Sequence, residues 1–225
     1  MTVNEPLDDQ HRSVARYHQL GLAAQAQGDL DTAEQWYQRA LAGAEQLDDQ
    51  TDVDISCFQL GFVAHARGDL DAAEHWYQRG LTTAERRGDQ ASTAAYHHHL
   101  GIVAQDRGEL DAAGERLERA RAIREQLADV PRLAMTYGQL GLLALRRDAP
   151  VVALEWTIRC AALFPSFPHR AAGPAPWNLA QLTEKLGWDA LHAAWRRVTG
   201  EATPASVVET IRAIQAGRAR ESGPG

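Results

Sequence analysis

Three consecutive histidines, His97-His98-His99, and two cysteines, Cys57 and Cys160, are the residues of this chain whose types could hold a metal or act as nucleophiles. Neither set has the spacing that such chemistry needs. Neighbouring residues on an α-helix are turned by about 100° from one another, so three histidines in a row cannot converge on one zinc ion. His97 is expected to face a core, His98 an open face, and His99 the space between. Both cysteines stand outside any Cys-x-x-Cys spacing and read as small buried hydrophobes rather than as a disulfide pair. No GxSxG, HExxH, phosphate-loop or dinucleotide fingerprint occurs. The sequence therefore predicts no catalytic residue, no metal site and no cofactor, and the chain reads as a non-enzyme.

Composition narrows the remaining classes. The 225 residues carry 23 basic and 30 acidic side chains, a net charge of −7. That balance lacks the basic stripe that neutralises phosphates, so nucleic acid is excluded as a partner. Lys185 is the only lysine, a bias that fits a GC-rich bacterial genome. No apolar run approaches the ~20 residues that cross a bilayer. The opening MTVNEPLDDQ lacks the apolar stretch of a signal peptide. A bacterial cytoplasmic protein without a membrane partner is the expectation.

Positioning falls to an internal repeat. Leu-Gly recurs at Leu20-Gly21, Leu60-Gly61, Leu100-Gly101 and Leu140-Gly141, always 40 residues apart. Gly28-Asp29-Leu30-Asp31, Gly68-Asp69-Leu70-Asp71 and Gly108-Glu109-Leu110-Asp111 keep the same step, as do the Asp-Gln pairs ending at 10, 50 and 90. Between these markers the apolar residues follow helical periodicity: Val14, Tyr17, Leu20 and Leu22, then Ala33, Tyr37, Ala40, Leu41 and Ala44. Gly28 suits the left-handed end of the first helix, and Asp29 and Asp31 suit the start of the second. Each unit is thus a helical hairpin that buries its apolar stripe by stacking on its neighbours.

This pattern resembles the tetratricopeptide repeat. The match runs through Tyr17, Leu20-Gly21, Ala33 and Tyr37; Cys57, Leu60-Gly61, Ala73 and Tyr77; His97, Leu100-Gly101, Ala113 and Leu117; and, more weakly, Tyr137, Leu140-Gly141, Ala153 and Thr157. Two departures mark a long variant. Ala24, Ala64, Ala104 and Ala144 replace the aromatic after Leu-Gly, and Glu45, Glu85 and Glu125 replace the late proline. In this it is similar to the long repeats of kinesin light chains and of bacterial peptide-sensing regulators. The resemblance implies an all-α, right-handed solenoid. Its expected parts are a tail at 1–7, repeats at 8–47, 48–87, 88–127 and 128–165, a proline-rich connector at 166–176, capping helices at 177–217 and a disordered tail at 218–225. Trp36, Trp76 and Trp156 are expected to pack between repeats, and Trp177, Trp188 and Trp195 to fill the C-terminal core.

The resemblance also implies where a partner binds, because the first helices of the hairpins line the concave face. That face carries an apolar column of Leu22, Phe62, Ile102 and Leu142. A second column holds His18, Phe58, His98 and Gly138. A third holds Gln25, His65, Gln105 and Leu145, with Asp106 and Arg146 alongside. The clamp that the family's chaperone-tail binders use for a terminal carboxylate is absent: its positions hold His18, Leu22 and Gln59. An adaptor or scaffold that takes an apolar peptide or helix of a partner protein is the first reading. The alternative is a peptide-sensing regulator of a transcription factor or another effector.

Overall fold

The computed structural model describes residues 7–221, so the terminal segments 1–6 and 222–225 lie outside the described residues. Among the described residues there are eleven α-helices, one 3-10 turn and no strand. The order is α1 (Leu7–Ala26), α2 (Leu30–Gln46), α3 (Gln50–Ala66), α4 (Leu70–Arg87), α5 (Gln90–Arg107), α6 (Leu110–Gln126), α7 (Val130–Arg146), α8 (Pro150–Ala162), the 3-10 turn Arg170–Ala172, α9 (Ala175–Leu186), α10 (Trp188–Thr199) and α11 (Ala205–Glu221). Helix therefore occupies position 7 and positions 218–221, which the sequence reading assigns to tails. Two compact units divide between Glu109 and Leu110, inside the third repeat.

The chain reverses every 20 residues by one device. Gly28, Asp48, Gly68, Gly88, Gly108, Ala128 and Asp148 all take positive φ, between 52 and 82°. Glycine does this without strain, whereas Asp48, Ala128 and Asp148 crowd their Cβ against the backbone. The next residue often caps the following helix. Asp29, Asp49, Asp69, Asp89 and Asp129 accept hydrogen bonds from the amides of Thr32, Thr51 and Asp52, Ala72, Ser92, and Arg132. Each such cap stabilises its helix by about 1 kcal/mol.

In the first unit, α1 to α5 pack in sequence order. The Leu-Gly motif explains the closeness of each hairpin. Tyr37 lies across Gly21 and Tyr77 across Gly61, and a Cβ added to Gly61 would stand 2.5 Å from Tyr77 Cε1. Both tyrosines are fully buried. On the surface, Arg67 pairs with Asp31 and Glu34, and Arg107 repeats the arrangement with Asp71 and Glu74. Exposed pairs of this kind contribute ~0–1 kcal/mol each, so they fix register more than stability.

In the second unit, Arg147 reaches Asp111 at 2.8 Å, the same step again, while Gly114 stands where Glu34 and Glu74 stood. α8 ends at Ala162, before Pro165, and α9 begins at Ala175, inside the segment expected to be an extended connector. Phe164, just before that segment, stacks on His169 within it, with centroids 4.3 Å apart. α9, α10 and α11 then share one core with α8, built on Leu154, Ile158, Leu179, Leu191, Trp195 and Ile211. Trp195 is buried and Trp188 packs against the same core. Trp177 is 52% exposed instead, because α9 buries Pro176, Leu179, Ala180 and Thr183, and Trp177 falls off that stripe.

The repeat tryptophans serve mostly their own hairpins. Trp36 stacks on Tyr17 at 5.6 Å and Trp156 on Tyr137 at 5.5 Å. Trp76, whose counterpart position holds Cys57, packs instead against the cores on both its sides.

Candidate docking surface

Eleven large apolar side chains are exposed among the described residues, and seven of them sit on first helices of the hairpins. In the first unit these are Leu7 and Leu22 on α1 and Ile55 and Phe62 on α3, at 39–68% exposure. In the second unit they are Met135, Leu142 and Leu145 on α7, at 41–58%. The positions are in register: Leu22, Phe62 and Leu142 directly follow the Leu-Gly pair, and Ile55 and Met135 precede its leucine by five residues. Ile55 and Phe62 are seven apart, so two helical turns present them on one face.

The other residues predicted for this face are placed differently. Phe58 is half-buried because three rings enclose it: His99 at 4.9 Å, Tyr96 at 5.9 Å and Tyr77 at 6.0 Å. His98 and Gln105 are enclosed, at 2% and 4% exposure, and Ile102 is half-buried. Gln25 accepts a hydrogen bond from the Tyr37 hydroxyl at 3.0 Å. His65 Nε2 meets Asp106 Oδ2 at 2.8 Å, tying α3 to α5. Arg146 is exposed in the last turn of α7. His18 is half-buried, with Nε2 3.3 Å from Ser56 Oγ. Burial holds its imidazole below the ordinary value, and Asp52 opposes that shift. In the histidine run, His97 is buried and the His99 ring stacks on Tyr77 at 5.2 Å.

Burial also pushes the thiols of Cys57 and Cys160 up to about 11, and both are free. Neither is a nucleophile at neutral pH. His11, Asp49 and Asp52 bring three potential ligand atoms within 4.8 Å at the start of α3. Asp49 Oδ1 is already engaged there by the amides of Thr51 and Asp52. Among the described residues, no helix is long and apolar enough to cross a membrane.

Two features escaped the sequence reading. A cleft of about 240 Å³ between α3 and α5 is lined by Asp54, Ile55, Phe58, Gln59, Ser92 and Tyr96. Its signal was a carboxylate set between Val53 and Cys57, two core residues. A second cleft, about 750 Å³, lies in the second unit among Gly114, Leu143, Arg147, Val152 and Trp156. It was foreshadowed by Gly114 in place of Glu34 and Glu74, and Arg116 in place of Trp36 and Trp76.

The family model described as the MalT-like TPR region matches residues 5–214. No curated protein sequence is significantly similar. Among solved structures, BtubC (BKLC) from P. vanneervenii is 18% identical with a TM-score of 0.68, over 97% of this chain and 92% of that one. A putative kinesin light chain with nearly identical TPR-like repeats, from Podosopora anserina, is 18% identical with a TM-score of 0.67, over 91% of this chain and 96% of that one. The Rap conjugation gene regulator of the plasmid pLS20, in complex with the Phr* peptide, is 14% identical with a TM-score of 0.66. There 95% of this chain is covered but only 58% of the regulator. These likenesses establish the fold class, an all-α solenoid of tetratricopeptide hairpins.

Proposed function

The chain belongs to the MalT-like TPR region family, and from that premise we propose that it is a non-catalytic adaptor that docks an apolar peptide or helix of a partner protein on the first helices of its hairpins. The observation that carries this reading is the register of the exposed apolar residues. Leu22, Phe62 and Leu142 share one repeat position and Ile55 and Met135 another, with Leu145 beside Leu142 on the last of these helices. Exposed apolar area forgoes about 25 cal/mol per Å², so side chains held out at matching positions gain when a partner covers them. Half-buried Phe58 and His18 lie on the same helices, and the His65–Asp106 pair ties α3 to α5.

The test changes Phe62 or Leu142 to Glu and measures binding to peptides selected from a random display library on the wild-type chain. Affinity should fall by about tenfold or more, ~1.4 kcal/mol. The thermal midpoint should hold, because both residues are exposed. Variants that fold normally and bind every selected peptide as tightly as wild type would remove this face from consideration.

A peptide-sensing regulator is the second reading, favoured by the regulator that was solved with a peptide bound. It predicts that peptide changes the affinity of the chain for a second protein. An adaptor would hold both without such coupling.

A further inference from the structure

The cleft between α3 and α5 holds a carboxylate that the fold satisfies only in part. Asp54 is 8% exposed, and its Oδ1 has no hydrogen-bond partner. The polar groups around it also serve other acceptors. The Tyr96 hydroxyl donates to the main-chain oxygen of Asp54 at 2.8 Å. Ser92 Oγ donates to Asp89 Oδ2 at 3.0 Å, and Arg87 on α4 donates to the Gln50 carbonyl at 3.3 Å. Leaving a buried acceptor unsatisfied costs on the order of 1–3 kcal/mol, and more when it is charged. Burial pushes the carboxyl above the usual carboxylate range; Tyr96, Ser92 and Arg87 oppose the shift and Asp89 reinforces it. A valine at this position would remove the unmet acceptor and an asparagine would remove its charge, so the carboxylate works against the stability of the free chain.

The shape of the cleft indicates what would repay it. At about 240 Å³ it is smaller than the roughly 300 Å³ where small-molecule pockets begin, which suits one side chain. Its walls, Ile55, Phe58 and Ala95, are apolar, while Asp54, Gln59 and Ser92 are polar. An apolar stem ending in a cation matches that order, since lysine and arginine bury their methylenes and carry the charge at the tip. Exposed Ile55 belongs both to the cleft and to the proposed docking face, so a segment lying on that face passes the cleft mouth.

We infer that the α3/α5 cleft is a socket for one basic side chain, arginine or lysine, of the segment that docks on the first unit, with Asp54 as its counter-charge. The inference rests on the docking function proposed above.

The probes are peptides selected from a random display library on the full chain at neutral pH. They should carry a basic residue among apolar ones. Asp54→Asn should weaken them by about tenfold or more while the thermal midpoint holds or rises. Replacing the peptide's basic residue by norleucine should weaken binding equally, and it tests the socket even if the Asp54 variant folds poorly. Peptides that lose affinity on Phe62→Glu, yet carry no basic residue and bind Asp54→Asn like wild type, would overturn the socket and leave the docking face standing. Peptides indifferent to Phe62→Glu but dependent on Asp54 would keep the socket and remove the apolar face. A library that yields no binder overturns both.

Discussion

Gly61 and Gly141 occupy the same position of the same Leu-Gly motif, and they meet different surroundings. At Gly61 the ring of Tyr77 fills the space where a Cβ would go, 2.5 Å from the nearest carbon. At Gly141 the residue sixteen places on is Thr157, whose Oγ1 stands 3.6 Å from the same imagined Cβ. Beside it lies a small cleft of about 130 Å³, lined by Leu145, Asn178, Gln181 and Lys185. In the first unit the motif is a steric necessity set by an aromatic ring. In the second it persists without the ring that requires it.

Alanine substitution should therefore split the pair. Gly61→Ala overpacks against Tyr77 and should destabilise the first unit by about 1–3 kcal/mol. Gly141→Ala has room and should stabilise its helix by about 0.5–1 kcal/mol. Denaturation midpoints of the two variants should move in opposite directions. Combining Gly61→Ala with Tyr77→Thr should recover part of the penalty, since a threonine recreates the surroundings of Gly141. Strict additivity in that cycle would show that the ring is not the cause.

The turns between hairpins give a smaller contrast. Gly88 takes φ 68° in the first unit, and Ala128 takes φ 52° at the matching position of the second. Ala128→Gly should stabilise the second unit by about 1 kcal/mol, the cost of the left-handed conformation for a residue with a Cβ. Hydrogen exchange at the α6–α7 turn would report it, and an unchanged or lower stability would mean the turn relaxes.

A last contrast is pH. His18 in α1 corresponds to Gly138 in α7, so this titration belongs to the first unit alone. The folded pKa of His18 lies below the ordinary 6.5, so the unfolded chain takes up the proton first as pH falls. The stability tied to the neutral ring is complete above about 6.5 and is lost as pH drops below that value toward the folded pKa. His18→Gln should flatten that part of the midpoint-against-pH curve. Identical slopes in wild type and variant would remove His18 as the source. Asp54 acts with the opposite sign: its raised carboxyl disfavours the folded state once it ionises, so acid relieves that cost.

Most of the helical frame was legible because it depends on local rules repeated in register. The 40-residue step, the capping aspartates and the left-handed glycines each declare themselves within a few residues. The apolar column of Leu22, Phe62 and Leu142 was legible for the same reason, since one repeat position maps to one helix face. What the sequence could not settle is how far each side chain on such a face stands out. Phe58 was expected beside Phe62, yet His99, Tyr96 and Tyr77 enclose it, and those rings come from two other helices. His98 and Gln105 are covered although their repeat positions match those of residues that are half-buried or exposed. Trp177 followed its helical phase into solvent although its size suggested a core. Asp54 became a buried, partly unsatisfied carboxylate only in the folded chain, where Tyr96 on another helix packs against it and donates to its main-chain oxygen. Sequence by itself determined the helices, their turns and the faces they offer, because these follow from nearest-neighbour chemistry along the chain. Tertiary structure alone decided which residues on those faces are reachable, because exposure depends on the volume of neighbours that the repeat does not hold constant.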